Sequence, residues 1–154
     1  MPTVNRPNYL AVGSRGRGFA VPDAAANRDE ALQAWFAASA VDALVTGMWP
    51  GFAPDKTPLP FITYTVTGNV PDNAMIPGLQ PVDDVFITFY LRSGDISPIE
   101  VDAIFTAFVN AFDDAIIPIT GFTTVRLDRV GGDRAKDADG GWVWVVQYKW
   151  HVQT

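Results

Sequence analysis

Apolar residues recur along this chain with two periods, one near 3.6 and one of 2, and the breaks between them delimit six elements. The sharpest break lies at Ser97-Pro98-Ile99-Glu100. Ser97 suits an N-cap, Pro98 the first helical position, and Glu100 the return half of a capping box. Val101, Ile104, Phe105, Phe108 and Phe112 then follow at the spacing of one buried helical stripe, which Asp113, Asp114 and Pro118 bring to an end. An earlier helix is expected from about residue 27 to 46. Its stripe is Leu32, Trp35, Phe36, Leu44 and Val45, with Asp29 and Glu30 in the first turn and Gly47 as C-terminal cap. Residues 48–60 contain four prolines and Gly51, and are expected to form a rigid loop.

Period 2 governs the other four segments. Phe61–Thr67 and Val82–Arg92 alternate as strands, separated by a Pro/Gly loop. Phe122–Val130 and Trp142–Val152 form a second pair around a polar hairpin loop, Gly131–Gly141. The last strand alternates most cleanly: Trp142, Trp144, Val146, Tyr148, Trp150 and Val152 share one face, while Gln147, Lys149 and His151 share the other. The pattern predicts an α+β fold with order α-β-β-α-β-β, in which two helices cover one face of a four-stranded antiparallel sheet. A single domain is expected over residues 27–154. Residues 1–26, with three prolines and the run Gly13-Ser14-Arg15-Gly16-Arg17-Gly18, read as an extended arm. That run lacks the spacing of a phosphate-binding loop.

The second sheet face is too apolar for open water. Phe61, Phe86, Tyr90, Val143 and Val145 fall on it beside several threonines. A patch of this kind marks an interface. Together with Arg15 and Arg17 of the basic arm, these residues are expected to form the contact of a homo-oligomer.

Composition removes most chemistries. The chain has 154 residues, 48% of them hydrophobic, enough for one sizeable core. It has no cysteine and a single histidine, His151, which excludes disulfides, thiolate sites and histidine clusters. No apolar run reaches the roughly 18 residues of a membrane span, and no secretory signal is read, so a cytosolic origin is expected. The net charge is −6, yet residues 1–22 carry Arg6, Arg15 and Arg17 with no acid. So acidic a body is not expected to grip nucleic acid, because affinity for phosphate comes from Lys and Arg.

The candidate sites each read more simply as structure. In a calcium-loop register Asp137, Asp139 and Gly140 fit, but Ala135 and Val146 stand where ligands belong. Asp83 and Asp84, adjacent on a strand, point to opposite faces, and Asp113-Asp114 reads as a pair of surface carboxylates at a helix end. His151 has no nucleophile motif to serve. Trp142, Trp144 and Trp150 read as core, leaving Trp49 without a role. No catalytic, cofactor or metal site is expected.

Read as a whole, residues 27–154 resemble the tail terminator and tail-completion proteins of long-tailed bacteriophages. The resemblance rests on several features together: the helix ending near Val45, the Pro-rich loop into Pro58-Leu59-Pro60-Phe61-Ile62-Thr63-Tyr64, the strand Val85-Phe86-Ile87-Thr88-Phe89-Tyr90, the capped helix from Ser97, and the strand Trp144–Trp150. It implies a non-enzymatic virion protein of the tail and neck, assembled in the host cytoplasm. It also implies a homo-oligomeric ring, commonly a hexamer, that caps the tail tube, meets head-tail connector proteins and lets DNA pass without tight binding. The long arm leaves open a head-completion or connector role. A small-molecule-binding or hydrolytic α+β domain is the remaining alternative.

Overall fold

The computed structural model describes residues 19–72, 82–121 and 123–153. The first helix, α1, spans Arg28–Ala38. The Asn27 side chain caps it by accepting the Glu30 backbone N–H at 2.9 Å. Leu32, Trp35 and Phe36 are buried. The expected run to residue 46 is interrupted at Ser39, whose backbone is extended and whose hydroxyl and N–H both donate to the Phe36 carbonyl. A serine that captures a carbonyl this way ends a helix. A single 3-10 turn, Ala40–Ala43, follows; it buries Val41 and leaves Leu44 exposed, off the predicted stripe. Gly47 is no simple cap, because a Cβ there would lie 2.6 Å from the Trp49 ring, which packs across it.

Five strands form one mixed sheet: β1 (Met48–Pro50), β2 (Phe61–Asp72), β3 (Val82–Ser93), β4 (Thr123–Lys136) and β5 (Trp142–Gln153), in the order β1-β2-β3-β5-β4. This corrects the expected four-stranded antiparallel sheet and the order α-β-β-α-β-β. Met48–Pro50, expected as loop, pairs in parallel with Ile62–Tyr64 of β2. Three residues are too few to show a period, and Pro50 is tolerated because β1 lies at the sheet edge. The β4 strand also runs six residues beyond Val130. Its hairpin turn shrinks to residues 137–141, closed by bonds from Asp137 N–H to the Gly141 carbonyl and from Gly140 N–H to the Asp137 carbonyl. Gly140 takes a φ of +92, which favours glycine. Phe122, the expected start of this strand, lies outside the described residues.

The second helix, α2, spans Ile99–Phe112. Ser97 accepts the Ile99 N–H at 3.3 Å, but Glu100 accepts a hydrogen bond from the Ser93 hydroxyl, so the capping box is not made. Both helices lie on one sheet face. There Ile62, Tyr64, Val85, Ile87, Phe89, Leu91, Val146, Tyr148 and Trp150 meet Leu32, Trp35, Ile104, Phe108 and Phe112. Phe89 is at the middle, its ring centroid 4.8 Å from Phe108, 5.5 Å from Phe112, 5.7 Å from Tyr64 and 5.8 Å from Tyr148. Two polar ties lock the layers. The Trp35 indole donates to the Ala111 carbonyl at 2.8 Å, and the Tyr64 hydroxyl donates to Asp29 at 2.8 Å. Residues 19–26 lie against this body: Phe19 meets Trp35 edge-on at 5.2 Å, and Ala25 pairs with Ile119.

Candidate functional site

Strand register decides which side chains share the face turned away from the helices. Across β2, β3, β5 and β4 the rows on that face are Phe61-Arg92-Val143-Ala135, then Thr63-Tyr90-Val145-Asp133, then Thr65-Thr88-Gln147-Gly131, then Thr67-Phe86-Lys149-Asp128. Phe61, Tyr90, Val143 and Val145 thus form one block near an end of the sheet. Phe86 sits two rows away, across a polar row. Val143 is 9% exposed, and Phe61, Phe86, Tyr90 and Val145 are half-buried. Arg15 and Arg17, the other expected contact residues, lie outside the described residues.

Cations soften this face. The Arg92 guanidinium lies 5.7 Å from the Tyr90 ring centre and pairs with Asp137 at 3.1 Å. Lys149 lies 5.9 Å from the Phe86 ring. Long basic side chains cover apolar surface with their stems while their charges stay wet. The loop after β1 leans over the same block and encloses a groove of about 350 Å³, lined by Phe52, Lys56, Phe61, Thr63, Tyr90 and Arg92. Trp49, without a role in the sequence, packs edge-on against Phe61 at 6.3 Å and supports the groove's base. Phe52 was missed: it is 90% exposed on that loop. Its signal was an aromatic held in the rigid run Pro50-Gly51-Phe52-Ala53-Pro54.

A second depression, of about 510 Å³, opens on the helix side at the β4 edge. Phe105, Arg129, Val130, Gly131, Gly132 and Trp144 line it. Phe105 and Trp144 stack with centroids 3.8 Å apart, and the Arg129 guanidinium lies over Phe105. A bulge between Arg129 and Gly131 shapes the rim.

The titratable groups elsewhere serve as ties between layers. Asp113 turns inward, accepting the Tyr148 hydroxyl at 2.6 Å and pairing with Arg129 at 3.1 Å. Burial, with the carboxylate beside it, pushes the Tyr148 phenol far above its ordinary range. Asp114, at a φ of 56, lies 3.8 Å from Arg126 instead. His151 lies 3.4 Å from Asp128. Of the acids in the hairpin loop, Asp137 is engaged by Arg92, and Asp133 accepts its neighbour's N–H. Among the described residues no three His, Cys, Asp or Glu side chains gather as metal ligands.

Asp102 offers a pH test. The Trp144 indole N–H donates to it at 2.8 Å, and Arg134 pairs with its other oxygen. Those two partners, the indole first, hold its carboxyl below the usual carboxylate range. A depressed carboxyl stabilises the fold above the unfolded-state value, and this contribution is lost as pH falls through the folded-state value. Asp102→Asn, which keeps an oxygen for the indole but loses the charge, is therefore expected to lower stability modestly at pH 7 and to flatten its further loss below about pH 4, so that the two proteins converge in acid. Urea melts across pH 2–7 read this directly, and an unchanged acid limb would refute it.

No curated protein matches the chain. A solved structure that does is a chain from the virion of a native gene transfer agent particle, 12% identical with a TM-score of 0.64 over 78% of this chain and 90% of that one. At such identity the likeness is one of fold. No helix among the described residues is long and apolar enough to cross a membrane. The family model of tail completion protein gp17 matches residues 30–153, nearly the whole described domain. The chain therefore belongs to the tail completion protein gp17 family, structural proteins of the virion tail.

Proposed function

We propose that this tail protein works by self-assembly, forming a ring, commonly a hexamer in proteins of this type, that caps the finished tail tube and provides the surface to which the head attaches. The observation that carries this reading is the block of half-buried Phe61, Tyr90 and Val145 around buried Val143 on the sheet face opposite the helices, in a member of a tail-completion family. A ring buries that block at each subunit junction, with Phe86 at its margin and Arg15 and Arg17 reaching the neighbour. The excess of acids over bases suits a conduit, since a surface short of Lys and Arg lets DNA pass without holding it. The work is mechanical, and no step of it calls for catalysis or a cofactor.

Light scattering after size exclusion, with negative-stain microscopy, tests this. Rings in solution, or rings formed at the ends of purified tail tubes, are the expected result. A protein that stays monomeric under both conditions overturns the proposal. Labelling within virions separates a cap on the tube from a connector on the head side, because the two positions differ by one ring.

A further inference from the structure

The two edges of the sheet differ in what they leave open. The β1 edge is closed by its own chain: the Met48 carbonyl accepts from the Gln33 side chain of α1 at 2.8 Å, Pro50 has no N–H, and the Pro50 carbonyl accepts the Phe52 N–H at 2.9 Å. The β4 edge is closed only in its first half, where the Leu127 N–H donates to the Ala115 carbonyl and the Leu127 carbonyl accepts from Asp114. Further along, the turn bond from the Asp137 N–H to Gly141 points residue 137 inward, so strand alternation turns the N–H and C=O of Gly132, Arg134 and Lys136 outward. The Asp133 carboxylate accepts the Arg134 N–H. Among the described residues, nothing takes the rest.

An open edge is a template for another strand, and charged side chains are a common guard against it. Here the guards are drawn aside. Arg134 and Lys136 lie 5.1 and 5.6 Å from the Trp142 ring centre, and Arg134 is paired with Asp102. Gly131 and Gly132 put no side chain in the way.

A ring sets aside two occupants for this edge. The β1 strand of the next copy has closed its own bonding groups, and β4 of a second copy would make a closed two-fold pair. What the chain has left is the segment before Phe19. Within it, Asn8-Tyr9-Leu10-Ala11-Val12-Gly13 is free of proline and carries Tyr9 and Val12, which favour strands. Six extended residues span about 20 Å, the length of residues 131–136. The segment is tied at Phe19, which packs on Trp35 of α1, the helix whose Gln33 closes the β1 edge. It therefore starts on the β1 side of its own copy. The residues between Gly13 and Phe19 let it reach about 20 Å further, to the β4 edge of a copy standing alongside.

We infer that residues 8–13 of one copy add as an outer strand to residues 131–136 of β4 in the next. This rests on the ring proposed above and names the strap that joins its members. The bonds run between backbones, so the contact needs no match of charge. Side chains alternate along an added strand, so either Leu10 and Val12 or Tyr9 and Ala11 fall on the open face beside Ala135, extending the row Ala135-Val143-Arg92-Phe61. Each copy gives one strand and receives one, and copies add in one sense around the ring.

Because the chain has no cysteine, introduced ones report the contact. Ala11→Cys protein mixed with Ala135→Cys protein, treated with a short bismaleimide, should yield cross-linked dimers. Neither variant alone should. A chain carrying both cysteines should yield a ladder of covalent oligomers. Leu10→Pro combined with Ala11→Pro, which removes a donor whichever way the strand faces, should weaken association about tenfold or more and leave the thermal melt unchanged. Double-cysteine chains linked only within themselves would place the strand on its own edge, and Ala135→Cys linked to itself would pair β4 with β4. Either result overturns the inference, as does undiminished association of the double proline variant. Wild-type rings without a mixed cross-link would remove the strand exchange but leave the ring standing. Mixed cross-links from a wild type that forms no rings would keep the exchange and remove the ring.

Discussion

Phe89→Ala is expected to lower the unfolding free energy by about 3–5 kcal/mol, the range for an aromatic removed from a closed core. The side chain is fully buried on the central strand β3, and four aromatic rings lie within 6 Å of its centroid. Those rings come from three sources: Tyr64 on β2, Phe108 and Phe112 on α2, and Tyr148 on β5. None can collapse into the space without leaving its own partners. Tyr64 and Tyr148 are further tethered through their hydroxyls to Asp29 and Asp113. The cavity therefore stays open and the cost falls at the high end. For a chain of this size each kcal/mol shifts the melting temperature by roughly 2–4 °C, so a fall of about 10 °C or more is expected by thermal circular dichroism. A shift under about 3 °C would mean that Phe89 is not the keystone of the helix–sheet interface.

The second large effect should leave stability nearly untouched. Val145→Lys places a cation on the open face, in the row between Tyr90 and Asp133. In the monomer that position is half-buried, with an aromatic ring on one side and a carboxylate on the other, so the melting temperature should move by less than about 3 °C. In a ring the same ammonium would be taken out of water against Phe61 and Val143. Truncated or mismatched buried charges of this kind cost about 2–5 kcal/mol at an interface. Repeated at every junction, that converts rings into monomers at micromolar concentration by light scattering. Intact rings from Val145→Lys would remove this face from the subunit contact.

How much of this could be read from residues alone depended on burial. The β5 strand and α2 were legible because one face of each meets the core along its whole length, so the period is written without interruption. What failed lies where neither face is covered. The Asp133–Lys136 stretch of β4 is exposed on both sides, and nothing forces alternation there, so it passed for loop. The short β1 strand is held by pairing with β2, a contact between segments separated by ten residues of Pro/Gly-rich chain. Ser39 broke a helix whose apolar stripe appeared continuous, because one hydroxyl bond outweighed a weak propensity. For the candidate surface, alternation was enough to gather Phe61, Tyr90, Val143 and Val145. It could not reveal Phe52 or the Phe105–Trp144 depression, which depend on loop geometry and on a bulge.

The placing of the five tryptophans also has an optical consequence. Trp35 and Trp150 are sealed in the core, whereas Trp49 packs edge-on against Phe61, which lines the groove, and Trp144 lines the depression at the opposite edge. The emission of the molecule is thus divided between indoles that water reaches only on unfolding and indoles nearer the surface, of which the ring proposed above would cover Trp49 beside Phe61. A blue shift that grows with protein concentration, at constant secondary structure, would report subunits joining without any label.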